Sequence, residues 1–221
     1  MKLTDTLLDW LFPPRCLFCG TLLPEGETST CPACRDALKA LPGERVQTIP
    51  TGIRCVSALP YEGIVRQGIL RFKFQGCRSS AAAFGAALAQ CAAEQLSGQF
   101  ELVTWVPVHS LRRLSRGYDQ SRLLAEAACR LWQVKPVRLL KKRRHTSPNS
   151  GMKTASARRA NVLGVYQAVR PEAIAGRRIL LIDDIVTTGS TLEECARVLK
   201  DVGAAEVVCA TLAYAERRNP S

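Results

Sequence analysis

Residues 180–191 read LLIDDIVTTGST, and a helical apolar pattern follows from Thr191 to Lys200. Four apolar residues, Ile179 to Ile182, have the length and branching of a buried parallel strand. The acidic pair Asp183-Asp184 and the turn after it therefore lie where a strand gives way to a helix. This junction predicts an α/β protein with a mostly parallel sheet flanked by helices.

The turn after the acidic pair has the features of an anion site. It consists of Thr187, Thr188, Gly189, Ser190 and Thr191. Its backbone N–H groups and hydroxyls lie at the positive end of a helix, which suits a phosphate. The adjacent carboxylates suit sugar hydroxyls or a bound Mg²⁺ instead. The alternative is a buried strand that ends in a capping turn and binds no ligand.

The length of 221 residues is enough for one α/β domain and a small appendage, and the 47% hydrophobic content fits a globular protein. No apolar run approaches the length of a membrane span. Asp5 and Asp9 interrupt the apolar positions of the first dozen residues, which argues against a signal peptide. We therefore expect a cytoplasmic protein that does not insert into a membrane.

The net charge of +12 is unevenly distributed. Residues 135–159 contain nine Lys or Arg residues and no Asp or Glu. Such a concentration predicts an anionic partner, either a nucleotide, pyrophosphate or nucleic acid. A solvated basic face is the alternative.

Four cysteines near the N-terminus have the spacing of a zinc ribbon. Cys16-x-x-Cys19 and Cys31-x-x-Cys34 are separated by eleven residues, and two such knuckles complete a closed tetrahedral Zn²⁺ site. A redox pair or free thiols are the alternatives. The Pro- and Gly-containing stretch 41–52 has the composition of a linker. We therefore predict a helix and zinc ribbon over residues 1–50 and a second domain over residues 51–221.

A second strand-to-helix junction is basic. Leu102 to Val108 is predicted to be a strand that ends at Pro107, and a helix is predicted from Ser121 to Trp132. The loop between them contains Arg112, Arg113 and Arg116. Cations and a glycine at a helix start suit pyrophosphate. A basic solvated loop is the alternative.

The basic stretch itself is predicted to form a short strand, a loop and a helix. The strand is expected at Val137 to Leu140, and the charged residues after it lead into a polar loop. The helix is expected at Ser156 to Val162, with Arg158 and Arg159 facing phosphates. The charged residues before the loop are Lys141, Lys142, Arg143 and Arg144.

The junction at residues 179–191 resembles the phosphoribosyl-pyrophosphate (PRPP) motif of type I phosphoribosyltransferases. The resemblance implies that Asp183 and Asp184 face the ribose 2′ and 3′ hydroxyls. It also implies that residues 187–191 hold the 5-phosphate, that Mg²⁺ accompanies PRPP, and that residues 141–144 belong to a mobile loop that closes over it.

The order of several short motifs resembles the ComF/GntX family, which is linked to natural competence and to the use of external DNA. Between the zinc knuckles and the PRPP motif, these are Tyr61-x-Gly63, Lys73-Phe74-Gln75-Gly76, Val106-Pro107-Val108 and Arg116-Gly117-Tyr118-Asp119-Gln120. The family usually has Asn where Asp119 stands, so a negative charge lies beside the expected pyrophosphate loop.

The resemblance implies two functions of different classes. The first is an enzyme that transfers ribosyl 5-phosphate from PRPP to an unknown acceptor, with Asp183, Asp184 and Arg116 as its catalytic residues. The second is a non-catalytic protein that binds single-stranded DNA through the basic stretch and the zinc ribbon, with Trp132, Tyr118 or Phe74 stacking on bases. Its protein partners would be DNA-uptake or helicase-type proteins.

Overall fold

A computed structural model describes residues 13–109, 117–144 and 155–216. The strands in chain order are β1 (Arg45–Thr48), β2 (Arg54–Pro60), β3 (Leu102–Trp105), β4 (Leu140–Lys142), β5 (Tyr166–Ala168), β6 (Arg178–Val186) and β7 (Glu206–Tyr214). The main sheet has five strands in the order β1-β2-β7-β6-β3. Strands β2, β7, β6 and β3 are parallel, and β1 pairs antiparallel with β2 at one edge. Strands β4 and β5 form a separate antiparallel pair.

Helices cover both faces of the main sheet. The helices in chain order are α1 (Pro32–Lys39), α2 (Gly63–Phe74), α3 (Ser80–Leu96), α4 (Gln120–Leu131), α5 (Ala155–Val162), α6 (Pro171–Ile174) and α7 (Ser190–Asp201). Leu180 and Ile182 belong to the core that includes α3 and α4, whereas Ile179 and Leu181 belong to the core that includes α7. A strand buried on both faces needs apolar residues at every position, which explains the uninterrupted run in β6.

The segment that contains the cysteines packs on the helices rather than standing apart. Phe18, which lies between two of them, packs edge to face on Phe84 of α3 at a centroid distance of 5.7 Å. Gly68 of α2 allows this approach, since a Cβ there would lie 3.0 Å from the Phe18 ring. Cys16 and Phe18 therefore share one hydrophobic core with α2 and α3.

The composition of residues 41–52 predicts a linker, but residues 45–48 form a strand instead. They form β1, whose Val46 and Thr48 are β-branched, and they pair with Arg54 to Ser57 of β2. Pro42 and Gly43 lie just before this strand, which begins at Arg45. The sheet consequently begins at Arg45, within the residues predicted to belong to the zinc ribbon.

The short strand expected at Val137 to Leu140 lies two to three residues later, over Leu140–Lys142. Lys141 and Lys142 therefore pair with β5 and are not loop residues in this structure. Both side chains are only partly buried, so a charged residue is tolerated there. Across the described parts of the chain, no helix is long and apolar enough to cross a bilayer.

Candidate functional site

The four predicted zinc ligands are brought together. The sulfur atoms of Cys16, Cys19, Cys31 and Cys34 all lie within 4.8 Å of one another. The Cys19 and Cys31 sulfurs are 3.7 Å apart, close to the edge of about 3.8 Å that a tetrahedron with Zn–S bonds of about 2.3 Å would have. The donor set and its size therefore fit a structural Zn²⁺ ion.

Local contacts tune the thiols at this centre. The Thr21 hydroxyl lies 3.3 Å from the Cys19 sulfur, and its hydrogen bond lowers the pKa of Cys19 to about 6. A lowered pKa favours the thiolate, which is the form that binds metal. Burial instead raises the pKa of Cys34. A positive metal ion is what would hold such a buried thiol in its thiolate form.

Strand β6 continues past its apolar run and carries the acidic pair into the candidate site. Asp183 and Asp184 lie within β6, because β7 pairs with it as far as the register pair Val186–Tyr214. The chain then turns at Gly189, which has φ of +83° and is the N-cap of α7. A pocket at this turn is lined by Asp183 and residues 185–192. The acidic pair and the predicted phosphate turn are thus adjacent in space.

The acidic pair is held by two residues from distant parts of the chain. The Ser121 hydroxyl donates to Asp183 Oδ1 at 2.7 Å, and the backbone N–H of Asp184 donates to the same oxygen at 2.8 Å. The Lys73 ammonium lies 2.8 Å from Asp184 Oδ2. Burial, and then the neighbouring Asp184 charge, raise the pKa of Asp183 to about 7.

Asp119 has a structural role in this structure. Its Oδ1 accepts a hydrogen bond from the Arg122 N–H at 3.1 Å, which caps α4. Its Oδ2 accepts from the Val108 N–H at 3.2 Å and so ties the segment after β3 to the start of α4. Burial raises the pKa of Asp119. The carboxylate turns inward, to two backbone groups.

Some of the basic residues predicted for the site are described by the structure, and others are not. Arg112, Arg113 and Arg116, predicted for pyrophosphate, lie outside the described residues. Lys142 lies over the Tyr166 ring at 5.4 Å, and Arg144 donates to the Leu163 carbonyl at 3.1 Å. Lys141 and Lys142 lie in β4 in this structure, and the predicted movement of residues 141–144 over a ligand stays a prediction.

Arg159 is paired with a carboxylate in this structure. Its guanidinium donates to both oxygens of Glu193 in the first turn of α7, at 3.1–3.4 Å. Glu193 is buried, so this carboxylate holds Arg159 in the structure, and the expectation that Arg159 faces phosphates stays a prediction. The pair ties α5 to the helix that begins at the predicted phosphate turn.

Sequence reasoning missed the contributions of Lys73 and Ser121. The sequence identifies Lys73 only as part of a short motif and Ser121 only as a helix start. Each meets its carboxylate through tertiary packing over more than sixty positions along the chain. The one available signal was a cation in a motif that had no assigned role.

Gly189→Ala is expected to destabilise the protein by about 2–3 kcal/mol, because Ala is strained at positive φ and because its Cβ would lie 3.0 Å from Ile49 Cγ2. Gly176→Ala is the control, since Gly176 has φ of +70° but no neighbour within 4 Å of an added Cβ. Urea unfolding would compare the two. Equal losses of stability would contradict a packing role for Gly189.

Comparison with known proteins agrees with this architecture. Residues 120–220 match the Phosphoribosyl transferase domain family, and residues 7–46 match the Double zinc ribbon domain family. The predicted fold class, a type I phosphoribosyltransferase-like sheet with an N-terminal zinc ribbon, is confirmed.

Relatives match along most of the chain. Competence protein F of Haemophilus influenzae is 27% identical over 215 residues, which are 87% of this chain and 93% of that protein. The DNA utilization protein YhgH of Salmonella typhimurium is 29% identical over 215 residues, which are 89% of this chain and 90% of that protein. Among solved structures, glutamine PRPP amidotransferase of B. subtilis aligns with 19% identity and a TM-score of 0.42, over 77% of this chain and 36% of that one.

Proposed function

Because this chain belongs to the ComF family, whose members include competence and DNA utilization proteins, we propose that it binds PRPP and acts in the uptake or use of external DNA. The observation that carries the proposal is the geometry after β6. Two carboxylates stand directly before a turn at a helix start, and one pocket includes Asp183 and that turn. The carboxylates can accept hydrogen bonds from ribose hydroxyls, and the N–H groups and hydroxyls of the turn can donate to a phosphate.

In this proposal each part of the site has one task. Asp183 and Asp184 accept hydrogen bonds from the ribose hydroxyls. The N–H groups and hydroxyls of residues 187–191 hold the 5-phosphate. Cations near the leaving pyrophosphate come from Arg112, Arg113, Arg116 and residues 141–144, and a bound Mg²⁺ adds charge neutralisation. Transfer of ribosyl 5-phosphate to an acceptor is the reaction that such an arrangement supports.

Calorimetric titration of the zinc-loaded protein with PRPP and Mg²⁺ tests the proposal. We expect saturable binding, and at least a hundredfold loss of affinity in Asp183→Asn/Asp184→Asn, because Asn keeps the size but loses the charge-assisted hydrogen bonds. Asp36→Asn is the matched control, since its carboxylate is 73% exposed and pairs with Lys39 within α1. Wild-type protein that does not bind PRPP would overturn the proposal.

A role in binding single-stranded DNA is the second candidate. Its support is the net charge of +12 and Phe74, whose side chain is 62% exposed beside Lys73. Of the other aromatic candidates, one is buried and one is partly buried. Tyr118 is 6% exposed, and Trp132 packs on Phe100 at a centroid distance of 5.6 Å. Oligonucleotide binding that weakens steeply with salt, without PRPP binding, would favour this candidate.

A further inference from the structure

Lys73 reaches the acidic pair from the last turn of α2. Its ammonium lies 2.8 Å from Asp184 Oδ2, and the two side chains are only 16% and 15% exposed. An ion pair this sheltered from water is weakly screened, unlike the pairs at the protein surface. Lys73 therefore contributes its charge directly to the site.

The backbone that carries Lys73 is anchored by the first residue of α4 and by the segment just before it. The Tyr118 hydroxyl donates to the Phe72 carbonyl, and the Gln120 amide donates to the Lys73 carbonyl at 3.4 Å. The next residue, Ser121, donates to Asp183. One short segment thus positions both the cation and the first carboxylate.

These contacts engage one oxygen of each carboxylate of the acidic pair, so a divalent ion that bound the pair directly would have to compete with them. Asp183 Oδ1 already accepts two hydrogen bonds, and Asp184 Oδ2 faces the ammonium. Magnesium requires near-octahedral oxygen ligands and does not share a carboxylate oxygen with an adjacent cation without cost. The pair still needs a positive charge, since adjacent carboxylates repel each other.

We propose that the Lys73 ammonium, and not a divalent metal ion, is the resident counter-charge of Asp184, and that it fixes this carboxylate as the acceptor for a ribose hydroxyl. This inference rests on the proposed binding of PRPP. It makes Lys73 a positioning residue of the sugar site. Any Mg²⁺ that accompanies the ligand would then be held through the ligand's own oxygens.

The test compares Lys73→Met, Lys73→Gln and Lys73→Arg with wild-type protein in two titrations, one with PRPP and Mg²⁺ and one with Mn²⁺ alone. We expect Lys73→Met and Lys73→Gln to bind PRPP on the order of thirtyfold more weakly. We also expect them to gain a Mn²⁺ site that wild-type protein does not have, because the acidic pair loses its cation. Lys73→Arg keeps the charge and should recover most of the affinity and bind no added Mn²⁺.

Lys39→Met is the control, because Lys39 makes a comparable contact of 3.0 Å with Asp36 at an exposed position. Zinc content and thermal unfolding show that each variant is folded. PRPP affinity in Lys73→Met equal to that of wild-type protein, or no added Mn²⁺ site, would overturn the inference and leave the proposed function standing. Wild-type protein that fails to bind PRPP would overturn both.

Discussion

Cys34→Ser is expected to unfold the zinc ribbon and to lower the free energy of unfolding of the whole chain by on the order of 5 kcal/mol, since zinc binding is folding energy in such ribbons. The loss extends beyond the ribbon because its residues belong to the main core. Cys16, Phe18 and Cys34 are buried in the same cluster as Ile69 and Phe72 of α2. Unfolding the ribbon exposes that side of α2 and α3.

Chemical denaturation with and without a zinc chelator checks this expectation. The chelator should destabilise wild-type protein by about as much as Cys34→Ser does, and it should have little further effect on that variant. Cys129→Ser is the matched control, because Cys129 is fully buried in α4 and is not a member of the four-sulfur cluster. It should lose some stability but keep the full response to the chelator. A wild-type midpoint that the chelator does not move would refute a structural role for zinc.

The parts of this structure that could be predicted from sequence are those whose determinants are local. The run from Ile179 to Ile182 predicts a buried strand because every position faces one of two cores. The cysteine spacing predicts a cluster because each knuckle is only four residues long. The turn at Gly189 can be predicted from its composition, since a positive φ favours glycine.

Other features depend on pairing between distant segments, and local patterns do not encode it. Strand β1 forms because it pairs with β2, although the composition around it predicts a linker. Lys73 meets Asp184 only after α2 has packed beside the carboxyl end of β6. Arg159 has the composition of a phosphate ligand, yet it pairs with Glu193. In each case the sequence shows the chemistry of the residue but not the distant residue that it contacts in the fold.

Asp183→Asn is expected to stabilise the protein above pH 7 by about 2–4 kcal/mol, even though it removes a residue of the candidate site. Burial and the Asp184 charge raise the pKa of Asp183 from 3.8 to about 7 in the folded protein. The folded state therefore binds this proton more tightly than the unfolded chain does. The resulting stabilisation is complete below about pH 4, is lost as pH rises towards 7, and is absent at higher pH.

Asn can keep the contacts of Asp183 without the charge, since its oxygen can accept from both Ser121 and the Asp184 N–H. The difference in unfolding free energy between Asp183→Asn and wild-type protein should thus be smallest near pH 4 and reach a plateau above pH 7. Asp36→Asn makes the same charge change at an exposed position and should alter stability by less than about 1 kcal/mol at either pH. If the difference in unfolding free energy between Asp183→Asn and wild-type protein did not change with pH, ionisation of Asp183 would not destabilise the folded protein. A gain in stability that coincides with loss of PRPP binding would instead mark this carboxylate as one that the fold retains for its ligand.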